Sequence, residues 1–302
     1  MTQDKILPGT YINFISVASA SSVLSDRGIA TMPLELDWGK EGEVFEVSNE
    51  DFQKNSQKIF GYAHDHEKMN GLSDLFMNAK TLYAYRLNGG GTKATNAFAT
   101  ALYGGMRGND IKIVIQANAD ETSKYDVMTY LETTRVDTQT VAQASELVDN
   151  DYVTFKSDAA LEVTAGTALA GGTNATVDGT AHQKYLDKIE SYSYNVMGVI
   201  TTDETTKKLY AAFSKRMRDE QGVKFQLVLY NLKADYLGVI NLKNKVLDTG
   251  VSEASLIYWV TGAECGCEVN KSCQNKQYDG AFEVDTDYTQ TELQDAILAG
   301  EF

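Results

Sequence analysis

The side chains able to do chemistry are few and poorly grouped. His64-Asp65-His66 is the densest set of potential ligands. In a strand its two histidines share a face, whereas in a helix they diverge, so a solvated loop is the simpler reading. Cys265, Cys267 and Cys273 are the three cysteines. Their C-x-C-x5-C spacing resembles half of a zinc site, but no fourth ligand follows and the histidines are distant in sequence, which favours reduced, partly buried thiols. The run Asn88-Gly89-Gly90-Gly91-Thr92-Lys93 invites a phosphate-loop reading, yet Thr precedes Lys and no Ser or Thr stands behind it to open a helix. Asp285-Thr286-Asp287-Tyr288 begins like a calcium loop but has Gln290 where the sixth position requires Gly. Acidic pairs such as Glu132 with Asp137, or Asp203 with Glu204, fall on expected surfaces and helix caps. No nucleophile elbow, H-E-x-x-H, dinucleotide fingerprint or paired Cys and His is present. The sequence therefore predicts no enzyme, with no catalytic residue, no metal ligand and no cofactor.

Composition narrows the classes further. The 302 residues carry 27 basic and 42 acidic side chains, a net charge of −15 with histidine neutral. This is the wrong sign for a phosphate-binding surface, so a nucleic-acid partner is not expected. A hydrophobic fraction of 43% supports packed cores. No apolar run approaches a bilayer span and the first eight residues lack a secretory pattern, so membrane insertion is not expected.

The elements follow from periodicity. Residues 9–17 have strong β propensity with apolar side chains on both faces, which suits either a first strand of the protein's own sheet or an arm added to a neighbour's sheet edge. Residues 28–36 and 44–48 read as strands, and Ser48 can cap a helix carrying Phe52, Ile59 and Phe60 on its apolar side. A second helix is expected near 72–78 and a strand over 81–86. Residues 93–103 read as helical. Alternation at Ile111, Ile113 and Ile115, then at Tyr125, Val127, Thr129 and Leu131, with further strands over 133–142 and 152–156, predicts a small antiparallel module. Residues 164–180, rich in Gly, Ala and Thr, read as a returning loop. Thr180 then caps a helix. A buried-type strand over 194–201 leads to a helix opened by Asp203 and Glu204, with Leu209, Ala212, Phe213 and Met217 inward. Strands over 223–230 and 238–242 follow, then helices capped by Ser252 and Thr291. Short strand, helix, strand connections signal a parallel, doubly wound-like layer. The fold class is mixed α/β, a core sheet flanked by helices and interrupted by a small β-rich inserted domain. The expected divisions are an arm (1–20), the first part of the core (21–93), the insertion (94–180) and the second part of the core (181–302).

Three segments carry a family resemblance. They are P-G-T-Y-I-N-F (8–14), Y-G-G-M-R-G-N-D-I-K-I (103–113) and G-A-E-C-G-C-E-V-N-K-S with N-K-Q-Y-D-G (262–280). Together they resemble the tail sheath proteins of contractile bacteriophages and phage-derived bacteriocins, most closely the short prophage type of Gram-positive bacteria. The resemblance implies a structural subunit that stacks in helical rings around a tail tube and contracts to drive the tube through a target envelope. It implies as partners further copies of itself, the tail tube protein, and baseplate and tail terminator proteins, in a particle assembled in the bacterial cytoplasm and released by lysis. It also places Tyr11, Ile12, Asn13, Phe14 and Ile15 at the arm that exchanges strands between subunits. Family members continue beyond the equivalent of residue 302 into a second arm region, so this chain reads as a truncated form that stays monomeric alone. A ligand-binding protein or enzyme with a β-rich lid is the competing class. A tail-tube or baseplate protein is a third, disfavoured by the helices.

Overall fold

The structure, a computed structural model, describes residues 27–299. The arm residues Tyr11, Ile12, Asn13, Phe14 and Ile15 lie outside them. The chain divides into two compact units. Of the described residues, 27–31, 74–81 and 193–299 form the first, and 32–73 and 82–192 form the second.

The first unit is built on parallel strands. The leading half of β1 (Ile29–Leu34) pairs with β10 (Val196–Gly198), β10 with β11 (Gln226–Tyr230) and β11 with β12 (Val239–Leu242), all parallel. The register sets Ala30 beside Val196 and Val228 beside Ile240. Such strands are covered on their faces and so read as continuous apolar runs; from Leu227 to Tyr230 every residue of β11 is buried. Asn195 tethers the start of β1, its Oδ1 accepting from the amides of Gly28 (3.1 Å) and Ile29 (3.0 Å).

Helix α4 (Glu204–Asp219) packs on β11, and α5 (Ile257–Gly266) on β10 and β11. Asp203 caps α4 as expected, accepting from the amide of Thr206. The buried stripe is Tyr210, Phe213, Ser214 and Met217, with Lys207, rather than Leu209 and Ala212. Ser252 does not cap α5, which begins only at Ile257 after a series of turns. Helix α6 (Gln290–Leu298) is capped by Thr289, two residues before the expected Thr291, because Glu292 at the third helical position completes a capping box with Thr289.

At Gly262 in α5 a Cβ would lie 2.3 Å from the carbonyl oxygen of Leu75. Backbone stands on both sides of that contact, so neither partner can swing away. Gly262→Ala is expected to destabilise the first unit by about 1–3 kcal/mol, read from Trp259 fluorescence in a urea titration. An unchanged midpoint would show that the helix can slide.

The second unit holds the trailing half of β1, then β3 (Thr81–Arg86) and β2 (Val44–Ser48), in the order β1-β3-β2. Helices α1 (Asn49–Phe60) and α3 (Gly179–Ile189) pack on β2. Ser48 caps α1 in a capping box with Asp51. Asp178, not Thr180, caps α3, its carboxylate accepting from the amide of Ala181 at 2.9 Å. Helix α2 (Asn70–Phe76) matches the expected second helix.

The β-rich part of this unit has a four-stranded antiparallel sheet. Its order is β7 (Thr134–Val141), β6 (Tyr125–Leu131), β5 (Ile111–Ala117), β9 (Thr164–Ala168). A separate pair joins β4 (Ala99–Ala101) to β8 (Val153–Phe155). Two expectations fail here. Residues 93–103 are not helical, because Asn96 Oδ1 accepts from the amides of Phe98 (2.9 Å) and Ala99 (2.8 Å) and closes a local turn that competes with helix. The stretch 164–180 is not all loop, because β9 supplies the second partner that β5 needs. Small residues on an edge strand leave no periodic signal. Ile111, Ile113, Ile115, Val127, Leu131, Val153 and Phe155 form one buried core, which also contains Trp38 from the turn after β1.

Candidate functional site

Within the second unit, three glycine-rich passages of chain cross the turn Asp37-Trp38-Gly39 and are fastened there by two buried arginines. The crossings explain the glycines. At Gly91 a Cβ would stand 1.8 Å from the carbonyl oxygen of Thr173, and at Gly104 2.3 Å from that of Gly91. Gly105 adds a backbone φ of +137° and a clash at 2.1 Å with the carbonyl oxygen of Asp37. The glycine run at 88–93 is therefore a backbone crossing, not a phosphate cradle.

Arg86, the last residue of β3, is 1% exposed. Its Nη1 donates to the carbonyl oxygens of Gly104 (2.7 Å) and Gly39 (3.2 Å), its Nε to Asn88 Oδ1 (3.2 Å) and its Nη2 to Asn174 Oδ1 (3.3 Å). Asn88 Oδ1 also accepts from the amide of Leu36, and Asn174 Nδ2 donates to Asp37 Oδ1. The planar fork of arginine reaches all of these at once, which a lysine cannot do. Burial pulls the Arg86 value down, with Glu41 and Asp37 opposing.

Arg107 serves the opposite side of the turn. Its Nε donates to the carbonyl oxygen of Gly61 (2.8 Å), its Nη1 to Asp110 Oδ2 (2.9 Å) and to Glu132, and its guanidinium lies 4.3 Å from the centre of the Tyr62 ring. Glu132 reaches it from the two-residue β6–β7 turn, where its φ is +55°. The Tyr62 hydroxyl donates to Asp37 Oδ2 (2.8 Å) and accepts from Lys68 Nζ, which also donates to Asp37 Oδ2 (2.6 Å). Trp38 itself enters the β-rich core, stacked on Tyr152 and edge-on to Tyr103, with Nε1 donating to the Lys58 carbonyl.

Burial alone would raise the Asp37 carboxyl. Hydrogen bonds from Lys68, Asn174 and Tyr62 outweigh it and hold the group below its ordinary value. The hydrogen bond from Arg107 holds Glu132 low in the same way. A depressed folded value means that the unfolded chain takes up protons first as pH falls. The stabilisation is complete above the unfolded values of about 4 and is lost as pH falls through the folded ones. The urea midpoint of the second unit is expected to drop below about pH 4, and Asp37→Asn should flatten that drop. Equal slopes in the two proteins would show that Asp37 is not responsible.

This arrangement is suited to holding backbone. Both arginines are committed to carbonyl and carboxylate oxygens. A cavity of about 570 Å³ beside α3 is lined by Glu41, Tyr85, Arg86, Lys184 and Lys188 among others. Arg86 already directs most of its N–H donors to the four acceptors named above, and Glu41 accepts from the amides of Gly90 and Gly104. His66 caps the short turn Glu67–Met69, its Nδ1 accepting from the amide of Lys68 at 3.1 Å. Among the described residues no group of three or more His, Cys, Asp or Glu is arranged to hold a metal, and no helix is long and apolar enough to cross a membrane.

The first unit carries a smaller polar anchor that the sequence alone did not single out. Asp74 is fully buried and accepts from the Tyr278 hydroxyl (2.7 Å) and the amide of Ala281 (2.9 Å). Trp259 Nε1 donates to Asp279 Oδ1 (2.8 Å), and Lys276 lies over the Trp259 ring. These contacts lay residues 276–281 across α5. Lys207 in α4 is 2% exposed, paired with Glu204 and donating to the Asn231 carbonyl.

Fold and site together define a mixed α/β structural protein in which a β-rich module is pinned by buried polar contacts. Comparison with known proteins supplies the family. Residues 27–87 match the tail sheath protein Gp18 domain III N-terminal region, 89–174 the phage tail sheath protein beta-sandwich domain, and 175–302 the phage tail sheath protein central domain. The chain belongs to the phage tail sheath family. It is 38% identical to the sheath tail protein of Desulfitobacterium hafniense, with a TM-score of 0.85 over 97% of this chain and 71% of that one. For the sheath tail protein of Listeria innocua the identity is 35% and the TM-score 0.77, over 92% of this chain and 65% of that one. The phage-like element PBSX protein XkdK of Bacillus subtilis is 35% identical over 93% of this chain and 66% of the relative's length. An uncharacterized Bacillus subtilis protein, YqbK, is 34% identical over 99% of this chain and 69% of its own length.

Proposed function

We propose that this chain is the body of a subunit in a contractile phage-like tail sheath, which surrounds a tail tube and shortens to drive it through a target envelope. The observation that carries the reading is the arginine lock. A subunit that must pass force between neighbours has to move as a rigid piece, and Arg86 and Arg107 fasten the β-rich module through backbone carbonyls that salt does not screen. Its partners are further copies of itself, the tube protein, and baseplate and terminator proteins. Assembly takes place in the bacterial cytoplasm, followed by release on lysis. Residues 1–20 act as an arm, with Tyr11, Ile12, Asn13, Phe14 and Ile15 adding a strand to a neighbouring subunit, ahead of a core over 21–93 and 181–302 and an insertion over 94–180. The role is mechanical, without catalysis.

Electron microscopy of tail particles carrying this chain, before and after chemical triggering, tests the proposal. A shorter and wider sheath is expected after triggering, and a sheath of unchanged dimensions overturns contraction.

A further inference from the structure

The geometry points to a thiol pair, Cys267 and Cys273, that closes to a disulfide and staples the end of α5 to the strap that follows it. Cys267 is the residue that ends α5. The carbonyl of Ala263, one turn earlier, points toward that end of the helix, and Cys273 Sγ lies 3.5 Å from its oxygen. The two thiols are thus brought to the same helix end, Cys267 Sγ lying 3.7 Å from the carbonyl oxygen of the adjoining Glu268. A turn returns the chain between them: the amide of Lys271 donates to the Glu268 carbonyl at 2.9 Å, and the Lys271 ammonium pairs with the Glu268 carboxylate at 2.8 Å. Both thiols are half-buried and free. The third, Cys265, is fully buried and turned inward, its Sγ donating to the Gly262 carbonyl at 3.3 Å.

The chemistry assigns an order to the two sulfurs. Burial and the neighbouring Glu264 and Cys267 push the Cys273 thiol up to about 12, and its proton is held on the Ala263 carbonyl oxygen at 3.5 Å. Cys267 is therefore the first nucleophile. With a small-molecule disulfide as oxidant, the Cys267 thiolate attacks one of its sulfurs, forms a mixed disulfide and expels one thiolate. Cys273 then attacks Cys267 Sγ and expels the second thiol, its own proton passing to that leaving group. Two protein thiols are oxidised and one disulfide is reduced to two thiols. Closure ties residues 276–281, already held on Asp74 and Trp259, to the helix they cross.

The test is incubation of the native 302-residue chain with oxidised glutathione, followed by intact mass and thiol titration in denaturant. The expected result is a chain lighter by two hydrogens, loss of two of its three titratable thiols, a cross-link between Cys267 and Cys273 in the peptide map, and full reversal by dithiothreitol. Cys273→Ser is expected to stop at one stable glutathione adduct on Cys267. Three thiols remaining, a wild-type chain that keeps the adduct without closing, or a disulfide to Cys265 or to a second chain would each overturn the assignment.

Discussion

Arg86→Met is expected to lower the unfolding free energy of the second unit by about 3–5 kcal/mol, the cost of breaking a fully buried polar cluster by removing one partner. The methionine fills much of the volume, so the loss comes from oxygens. The carbonyls of Gly39 and Gly104 and the side-chain oxygens of Asn88 and Asn174 each lose a charged donor. Unsatisfied buried acceptors cost about 1–3 kcal/mol each, and partial rearrangement of the two asparagines keeps the total below the sum. Arg86→Lys keeps the charge but satisfies one or two of the four acceptors, so it should fall between wild type and Arg86→Met. The measurement is urea unfolding followed by Trp38 fluorescence in a Trp259→Phe background. If lysine is as good as arginine, the fork geometry is not what holds the crossing. If Arg86→Met does not fold, the lysine variant still ranks the effect.

Trp38→Ala should cost a similar amount, about 3–5 kcal/mol for deleting a large aromatic side chain from a packed core. Trp38 is 1% exposed, stacks on Tyr152 at 6.2 Å and meets Tyr103 edge-on at 5.2 Å. It belongs to the β-rich core although its backbone lies in the turn after β1. Its loss therefore opens a cavity in the module and removes the apolar pin through which that turn holds it. Trp38→Phe retains part of the packing but leaves the Lys58 carbonyl without its donor, and should cost less. Unfolding followed by circular dichroism in strand-rich wavelengths reads both variants. The predicted losses at Arg86 and Trp38 should not add, because both act on the same three-residue turn. Strict additivity would mean that the lock and the pin are independent devices.

Much of the secondary structure was legible. Strands β3, β5, β6 and β8 and the capped starts of α1 and α4 follow from alternation and from Ser48 and Asp203. The parallel layer was readable from its short strand, helix, strand connections. The misreadings have two causes. At 93–103 and at β9, residues of weak intrinsic preference took their conformation from a partner distant in sequence: β8 for β4, and β5 for β9. At α3 and α6 the right residue class was expected at the cap, but a neighbouring Asp or Thr had the better-placed acceptor.

The sequence by itself determined the family, through the segments at 8–14, 103–113 and 262–280, and the mixed α/β class, because hydrophobic period and turn residues are local properties. It also determined that Gly recurs in these segments, but not what those glycines do. Only the tertiary structure decided that Gly91, Gly104 and Gly105 are backbone crossings, that Arg86 and Arg107 face carbonyl oxygens up to 88 residues away in the chain, and that Asp74 receives Tyr278 from 204 residues away. A buried polar group declares its role only through the partners that satisfy it, and those partners are brought together by folding, not by spacing along the chain.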